Sequence, residues 1–146
     1  MTFDINWHDK ELLELCMEKA KAILAEAAMT VEAEAKKELD KGHGVKTGTL
    51  RRSIHVAKPD YNFGSDNVEN GPERGGVMVT PEKEGDTILK LAVGSGMVYA
   101  MAIHQGWNWQ KDGLIGVFAG YHYLTNGMEK MRGKLDTIIA RHQVKE

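Results

Sequence analysis

Residues 9–41, DKELLELCMEKAKAILAEAAMTVEAEAKKELDK, decide the fold. Apolar or small side chains recur at Leu13, Cys16, Ala20, Leu24, Ala27, Val31, Ala35 and Leu39, in steps of three and four. That spacing keeps them on one face of a helix with 3.6 residues per turn. Asp9 is placed to cap the start, and Gly42 and Gly44 to end it; no Pro or Gly interrupts the run. About 32 residues at 1.5 Å each give roughly 48 Å, longer than a compact domain of this size needs. The alanines make the stripe shallow, so another element can approach closely. The expectation is a helix docked partly on its own domain and partly on a neighbour. Cys16, on the stripe, is expected to be a small buried hydrophobe.

The chain that follows reads as shorter elements. Thr47-Gly48-Thr49 is a turn, and residues 50–53 can make one helical turn. Ile54 and Val56 then alternate with His55 and Ala57, a short strand stopped by Pro59. Residues 60–76 are rich in Gly, Asn and Asp and show no periodicity, which predicts a long, mobile, acidic loop. Residues 77–80 predict a strand, EKEGD (82–86) a turn, and 87–93 the clearest strand, with Leu89, Leu91 and Val93 on one face. Residues 97–105 predict a two-turn helix capped by Gly106. Residues 106–120, with two tryptophans and four glycines, predict an irregular segment. Leu124, Met128, Met131, Leu135, Ile138 and Ile139 form a second helical stripe. Gly127 and Gly133 each cost it about 1 kcal/mol relative to Ala. The sum is one α+β domain. A long N-terminal helix and a closing helix (121–143) pack on a small, mainly antiparallel sheet within 45–106, which carries the acidic loop.

Composition removes several classes. With 146 residues, 42% apolar and 27% charged, the chain can build a core and is not disordered as a whole. No apolar run approaches the ~20 residues of a membrane helix, and no basic-then-apolar leader opens the sequence. The single cysteine forbids an intrachain disulfide and fits a reducing compartment. The net charge of −2 hides an asymmetry. Residues 36–58 hold seven bases and two acids, whereas residues 60–86 hold seven acids and two bases. Adjacent segments of opposite sign suggest pairing between segments or between copies.

Candidate chemistry is thin. The six histidines (8, 43, 55, 104, 122 and 142) and Cys16 form no metal-ligand spacing. Gly94 and Gly96 follow a strand and precede a helix, but Tyr99 stands where a dinucleotide fingerprint needs its third glycine. Trp107, Trp109, Phe118, Tyr121 and Tyr123 could stack sugars or bases, or bury themselves against a neighbouring subunit. Carboxylates are numerous, and the reading puts most of them on the long helix's solvent face or in the acidic loop. No catalytic residue, metal or cofactor is predicted.

VKTGTLRRSI (45–54) carries a family likeness. It resembles the Thr-Gly-x-Leu-Arg-x-Ser-Ile signature of the bacteriophage tail-component family, which includes head–tail joining and tail-completion proteins of long-tailed phages. VGSGMVYAMAIHQG (93–106) and GYHYLTNGMEKMRGKLDTII (120–139) are similar to that family's later motifs, in order. The resemblance implies a virion structural protein of the neck, forming a hexameric or dodecameric ring through which DNA passes without specific binding. It implies partners in the head connector or adaptor and the tail tube, assembly in the bacterial host cytoplasm, no membrane and no enzymatic activity. Lys46, Thr47, Gly48, Leu50, Arg51, Arg52, Trp107 and Trp109 are then expected on a subunit or neck interface. Asp60, Asp66, Glu69 and Glu73 are expected on an acidic loop that faces the DNA conduit and repels phosphate. Two other classes stay open: a nucleic-acid-binding accessory protein using basic residues 36–58, and an enzyme or sugar-binding module using the aromatic segment.

Overall fold

In the computed structural model, residues 9–40, 48–66, 81–84 and 88–143 are described. The elements are α1 (Asp9–Asp40), α2 (Thr49–Ser53), β1 (His55–Ala57), a 3-10 turn (Phe63–Ser65), β2 (Glu82–Glu84), β3 (Ile88–Lys90), β4 (Ala92–Gly94), α3 (Ala100–Gln105), β5 (Trp107–Lys111), β6 (Leu114–Phe118) and α4 (Tyr123–Arg141). The α+β class is as the sequence predicts: two long helices with small antiparallel pairs. The strands form three separate pairs, β1 with β4, β2 with β3, and β5 with β6.

Helix α1 forms for the reason given by its pattern, and α4 runs antiparallel along its C-terminal part. Glu26 of α1 meets Arg141 and His142, Glu34 meets Lys134, and Glu38 meets Lys130 and Asn126. The seam is tight because its residues are small. A Cβ on Gly127 would stand 2.9 Å from the Val31 carbonyl oxygen and 3.0 Å from the Ala35 nitrogen. Ala35, Leu39, Leu50, Ile54, Ala100 and Tyr123 make the core cluster, with Val93, Met97, Ile103, Tyr121 and Leu124 against it. Burial pushes the Tyr123 phenol up to about 12, and its hydroxyl donates to the Ala100 carbonyl at 3.2 Å. His104 of α3 helps to start α4: its Nδ1 accepts the Leu124 N–H at 3.4 Å. Burial, with the charge of His122, holds His104 below the ordinary histidine value, which keeps that nitrogen an acceptor.

Several expectations change. Residues 87–93 are not one strand: β3 and β4 pair with different partners, with Leu91 between them. Residues 82–84, predicted as a turn, are strand β2. Helix α3 begins at Ala100, three residues later than predicted, after a turn at Val98 and Tyr99. The short strand expected at 54–57 forms as β1 (His55–Ala57), and it is buried throughout. Cys16 is exposed rather than buried. The expected strand at 77–80, the turn at Gly85, the helix stop at Gly42 and Gly44, and the side chain of Asp9 lie outside the described residues.

Candidate assembly surfaces

The glutamates of α1 are the first surprise. Glu32, Glu34 and Glu38 are buried rather than on a solvent face. They lie along an alanine-rich helix, where lysine stems can reach in and cover them. Glu34 accepts from Lys134 at 2.6 Å and from Lys37 at 2.9 Å. These bonds hold its carboxyl down at about 2. Glu26 is also held low, chiefly by the hydrogen bond with His142 at 2.6 Å and further by Arg141. The seam is thus locked by charge at its edges and by small side chains at its centre. A groove of about 780 Å³ opens on its flank beside Met29, Ala33 and Ile138. It is walled partly by these same paired charges and holds no converging catalytic set.

Beyond that seam the first two turns of α1 are open among the described residues. Residues 10–16 are exposed without a break, Leu12, Leu13 and Leu15 among them. These seven residues span roughly 10 Å of helix beyond the end of α4, at 1.5 Å per residue.

A second uncovered surface stands at 107–118. The irregular segment predicted here is a β-hairpin, β5–β6. Asp112 and Gly113 both have positive φ (52° and 79°), the conformation of the two-residue turn that matches strand twist. One hairpin face is aromatic. Trp107 packs on Phe118 at 4.6 Å between ring centroids, Phe118 packs on Tyr121 at 5.0 Å, and the Trp109 indole lies over Gly116, where a Cβ would collide with it. The register places Asn108 opposite Val117 and Gln110 opposite Ile115 on the other face. There Ile115 is 75% exposed and Val117 72%. Val98, Tyr99 and Met101 form a further exposed apolar group at the start of α3.

The root of the predicted acidic loop is fixed to the sheet instead of being free. Phe63 packs on His55 at 5.0 Å and on Tyr61 at 5.1 Å. Gly94 and Gly96 make room for Phe63, not for a phosphate: a Cβ on Gly96 would overlap the Phe63 carbonyl oxygen. The His55 Nδ1–H donates to the Ser53 carbonyl at 2.9 Å, and its Nε2 lies 3.8 Å from Asp66 Oδ2. The Tyr61 hydroxyl donates to Asp66 Oδ1, which raises the Tyr61 pKa. Ser53 Oγ bonds the Leu50 carbonyl and Ser95 Oγ, so it is not aligned on His55 as a nucleophile would be. Among the described residues no group of three or more His, Cys, Asp or Glu is placed to hold a metal, and no helix is long and apolar enough to cross a membrane.

The predicted interface residues separate. Trp107 and Trp109 are half-exposed on the hairpin. Gly48 takes a left-handed φ of 67° at the start of α2. Arg51 pairs with Asp40, and Arg52 is exposed. Leu50 is a core residue, because α2 packs it against Ile54 and Leu39. Asp60 is exposed, whereas the Asp66 side chain is only 3% exposed and faces His55 rather than a conduit. Lys46, Thr47, Glu69 and Glu73 lie outside the described residues. The sequence reading missed the hairpin, although Asp-Gly between two five-residue runs was its signal.

A family model described as "Bacteriophage HK97-gp10, putative tail-component" matches residues 9–108. The chain belongs to this family. The HK97-gp10-like match starts with α1 and ends at the second residue of β5, so it takes in the overhang, β1–β4 and α3. The likeness read at 120–139 falls outside it. No curated protein and no solved structure matches the chain. Membership of the HK97-gp10-like family places this chain among bacteriophage tail components, a structural class.

Proposed function

We propose that the protein is a subunit of the phage neck that completes the tail at the head–tail joint. Identical copies close into a ring around the DNA path, between the head connector or adaptor and the tail tube, after assembly in the host cytoplasm. One observation carries this reading: a single chain exposes two unlike apolar surfaces, the α1 overhang and the β5–β6 hairpin. A closed ring uses heterologous contacts, so each copy must present two different surfaces. Family membership supplies the setting. DNA passes through without a dedicated binding site, and Asp60 remains a candidate for lining the passage.

The alternative, nucleic-acid binding by residues 36–58, loses support from the same geometry. Lys36 pairs with Glu32 at 2.6 Å, Lys37 with Glu34, and Arg51 with Asp40, so these cations are already engaged within the chain. Electron microscopy of particles made without the protein tests the neck reading. The expected result is filled or leaking heads beside finished, unattached tails. Normal joined particles overturn it. Steeply salt-dependent DNA binding at micromolar protein would favour the alternative.

A further inference from the structure

Among the described residues, Asp66 Oδ2 is a buried polar atom with no hydrogen-bond partner. The Asp66 side chain is 3% exposed, and a bare carboxylate oxygen in such a place is costly. What it faces is His55 Nε2, 3.8 Å away.

The chain builds this meeting from two sides. Ile54 belongs to the core cluster with Ala35 and Leu39, so alternation along the strand turns the next side chain, His55, to the opposite face. Gly94 stands opposite His55 in the register and brings no side chain. The 3-10 turn (Phe63–Ser65) and its flanks fill that space. The Phe63 ring lies 5.0 Å from the imidazole between centroids, and the Tyr61 ring 5.4 Å, edge-on. Asn62 starts the turn by accepting the Gly64 N–H at 3.0 Å, and the turn delivers Asp66 at its end.

Hydrogen-bond chemistry then sets the proton count. The Ser53 carbonyl can only accept, so Nδ1 carries a hydrogen. In a neutral ring Nε2 would be a bare lone pair aimed at a bare carboxylate oxygen, with both groups buried. No neighbour relieves that clash. The Tyr61 hydroxyl is on the other carboxylate oxygen, Oδ1, and Ser53 Oγ is engaged by the Leu50 carbonyl and Ser95 Oγ. Glu34 and Glu38 of α1, on the core side of β1, are committed to Lys134 and Lys130. A proton on Nε2 satisfies both buried groups at once. Burial opposes a charged imidazole. The facing carboxylate favours it, and at 3.8 Å, shut off from water, that attraction is weakly screened.

We propose that His55 and Asp66 hold one proton between them, carried on Nε2, and that this ion pair is a pH-sensitive clasp fixing the turn at 61–66 onto β1 and β4. The proton sits on the imidazole because imidazole is more basic than carboxylate. A proton held more tightly in the folded chain stabilises the fold fully below the ordinary histidine value of about 6.5. That contribution is lost as pH rises through the pair's higher value. The clasp thus lets go toward alkali, whereas the seam at Glu34 lets go toward acid. It acts within one copy and does not depend on the ring reading.

NMR titration of the full chain tests it. The His55 ring signals are those that vanish in His55→Gln. Their midpoint should lie above the ordinary 6.5 by about one unit, and Asp66→Asn should bring it down to about 6.5 or lower. Melting temperature should fall as pH is raised from about 6.5 to about 9, and Asp66→Asn should flatten that fall. Nitrogen spectra of the unaltered chain at about pH 7 should show both His55 ring nitrogens protonated, a readout that stands even where Asp66→Asn does not fold. A midpoint at or below 6.5, or a single protonated ring nitrogen at that pH, overturns the proposal. So does a raised midpoint that Asp66→Asn leaves in place, since the carboxylate would then not be what retains the proton.

Discussion

Leu13 and Val31 lie on one stripe of α1, five helical turns apart, yet Leu13 is 62% exposed and Val31 is 3% exposed. Nothing in the local sequence separates them. Both belong to the same three-and-four periodicity, and both sit in uninterrupted helix. The difference is the presence of α4. Where α4 runs, small residues meet across the seam and lysines neutralise buried glutamates; where it ends, leucines face water. Periodicity therefore identifies a face that is to be covered, and not the molecule that covers it. An exposed Leu alone means little. An exposed Leu13 that extends a buried face, with Leu12 and Leu15 bare beside it, is a different observation, and it is why we place a neighbour there.

The contrast can be tested by treating the two halves alike. Leu39→Ala, in the covered half, should lower stability by about 2–5 kcal/mol, read as a fall in the chemical-denaturation midpoint. A loss no larger than that of a surface change would mean that this half is not the core. Gly127→Ala should come next, at about 1–3 kcal/mol, because its Cβ meets backbone atoms of α1 that cannot swing aside. Thermal melting that rises would show that the helices can separate at little cost. The ion-paired edge should respond to acid. Glu34 is held at about 2 against an ordinary 4.5. Its contribution is therefore complete above 4.5 and is lost as pH falls from there toward 2. Melting temperature should drop across that window, and Glu34→Gln should flatten the drop; an unchanged pH profile would show that the bonds to Lys134 and Lys37 do not form in solution. Gly133 offers a gain: a Cβ there meets nothing within 4 Å, so Gly133→Ala should stabilise α4 by about 1 kcal/mol. Leu13→Ala, in the bare half, should leave the melting of dilute protein within about 0.5 kcal/mol. A large effect would mean that the overhang is already packed within one copy.

Gly127 and Gly133 show where reading the chain stops. Helix propensity charges them equally, and only the approach of Ala35 and Val31 distinguishes them. The hairpin is a different kind of miss. Asp112-Gly113 carried the turn signal and β5 alternates tryptophan with amide, but β6 shows no apolar–polar alternation, because Leu114 and Phe118 on one face and Ile115 and Val117 on the other are all apolar. Asp66 is a third case. Its acidic, glycine-rich surroundings suggest a solvated loop, and only the fold brings His55, Tyr61 and Phe63 around it. Of the candidate interface, Trp107 and Trp109 were legible as aromatics on a non-helical stretch. Leu50 was not legible as core, since a single helical turn has no periodicity of its own.

The sequence by itself determined the long first helix, the closing helix, the α+β class and the family signature. Each of these is written in local spacing or in an ordered set of short motifs. The tertiary structure alone decided which part of α1 is covered, which glutamates are buried and paired, and that residues 107–118 stand out as a ribbon. Those outcomes depend on where α4 begins and ends against α1, and on contacts between residues about ninety to a hundred and fifteen positions apart. No local pattern encodes a distance of that kind.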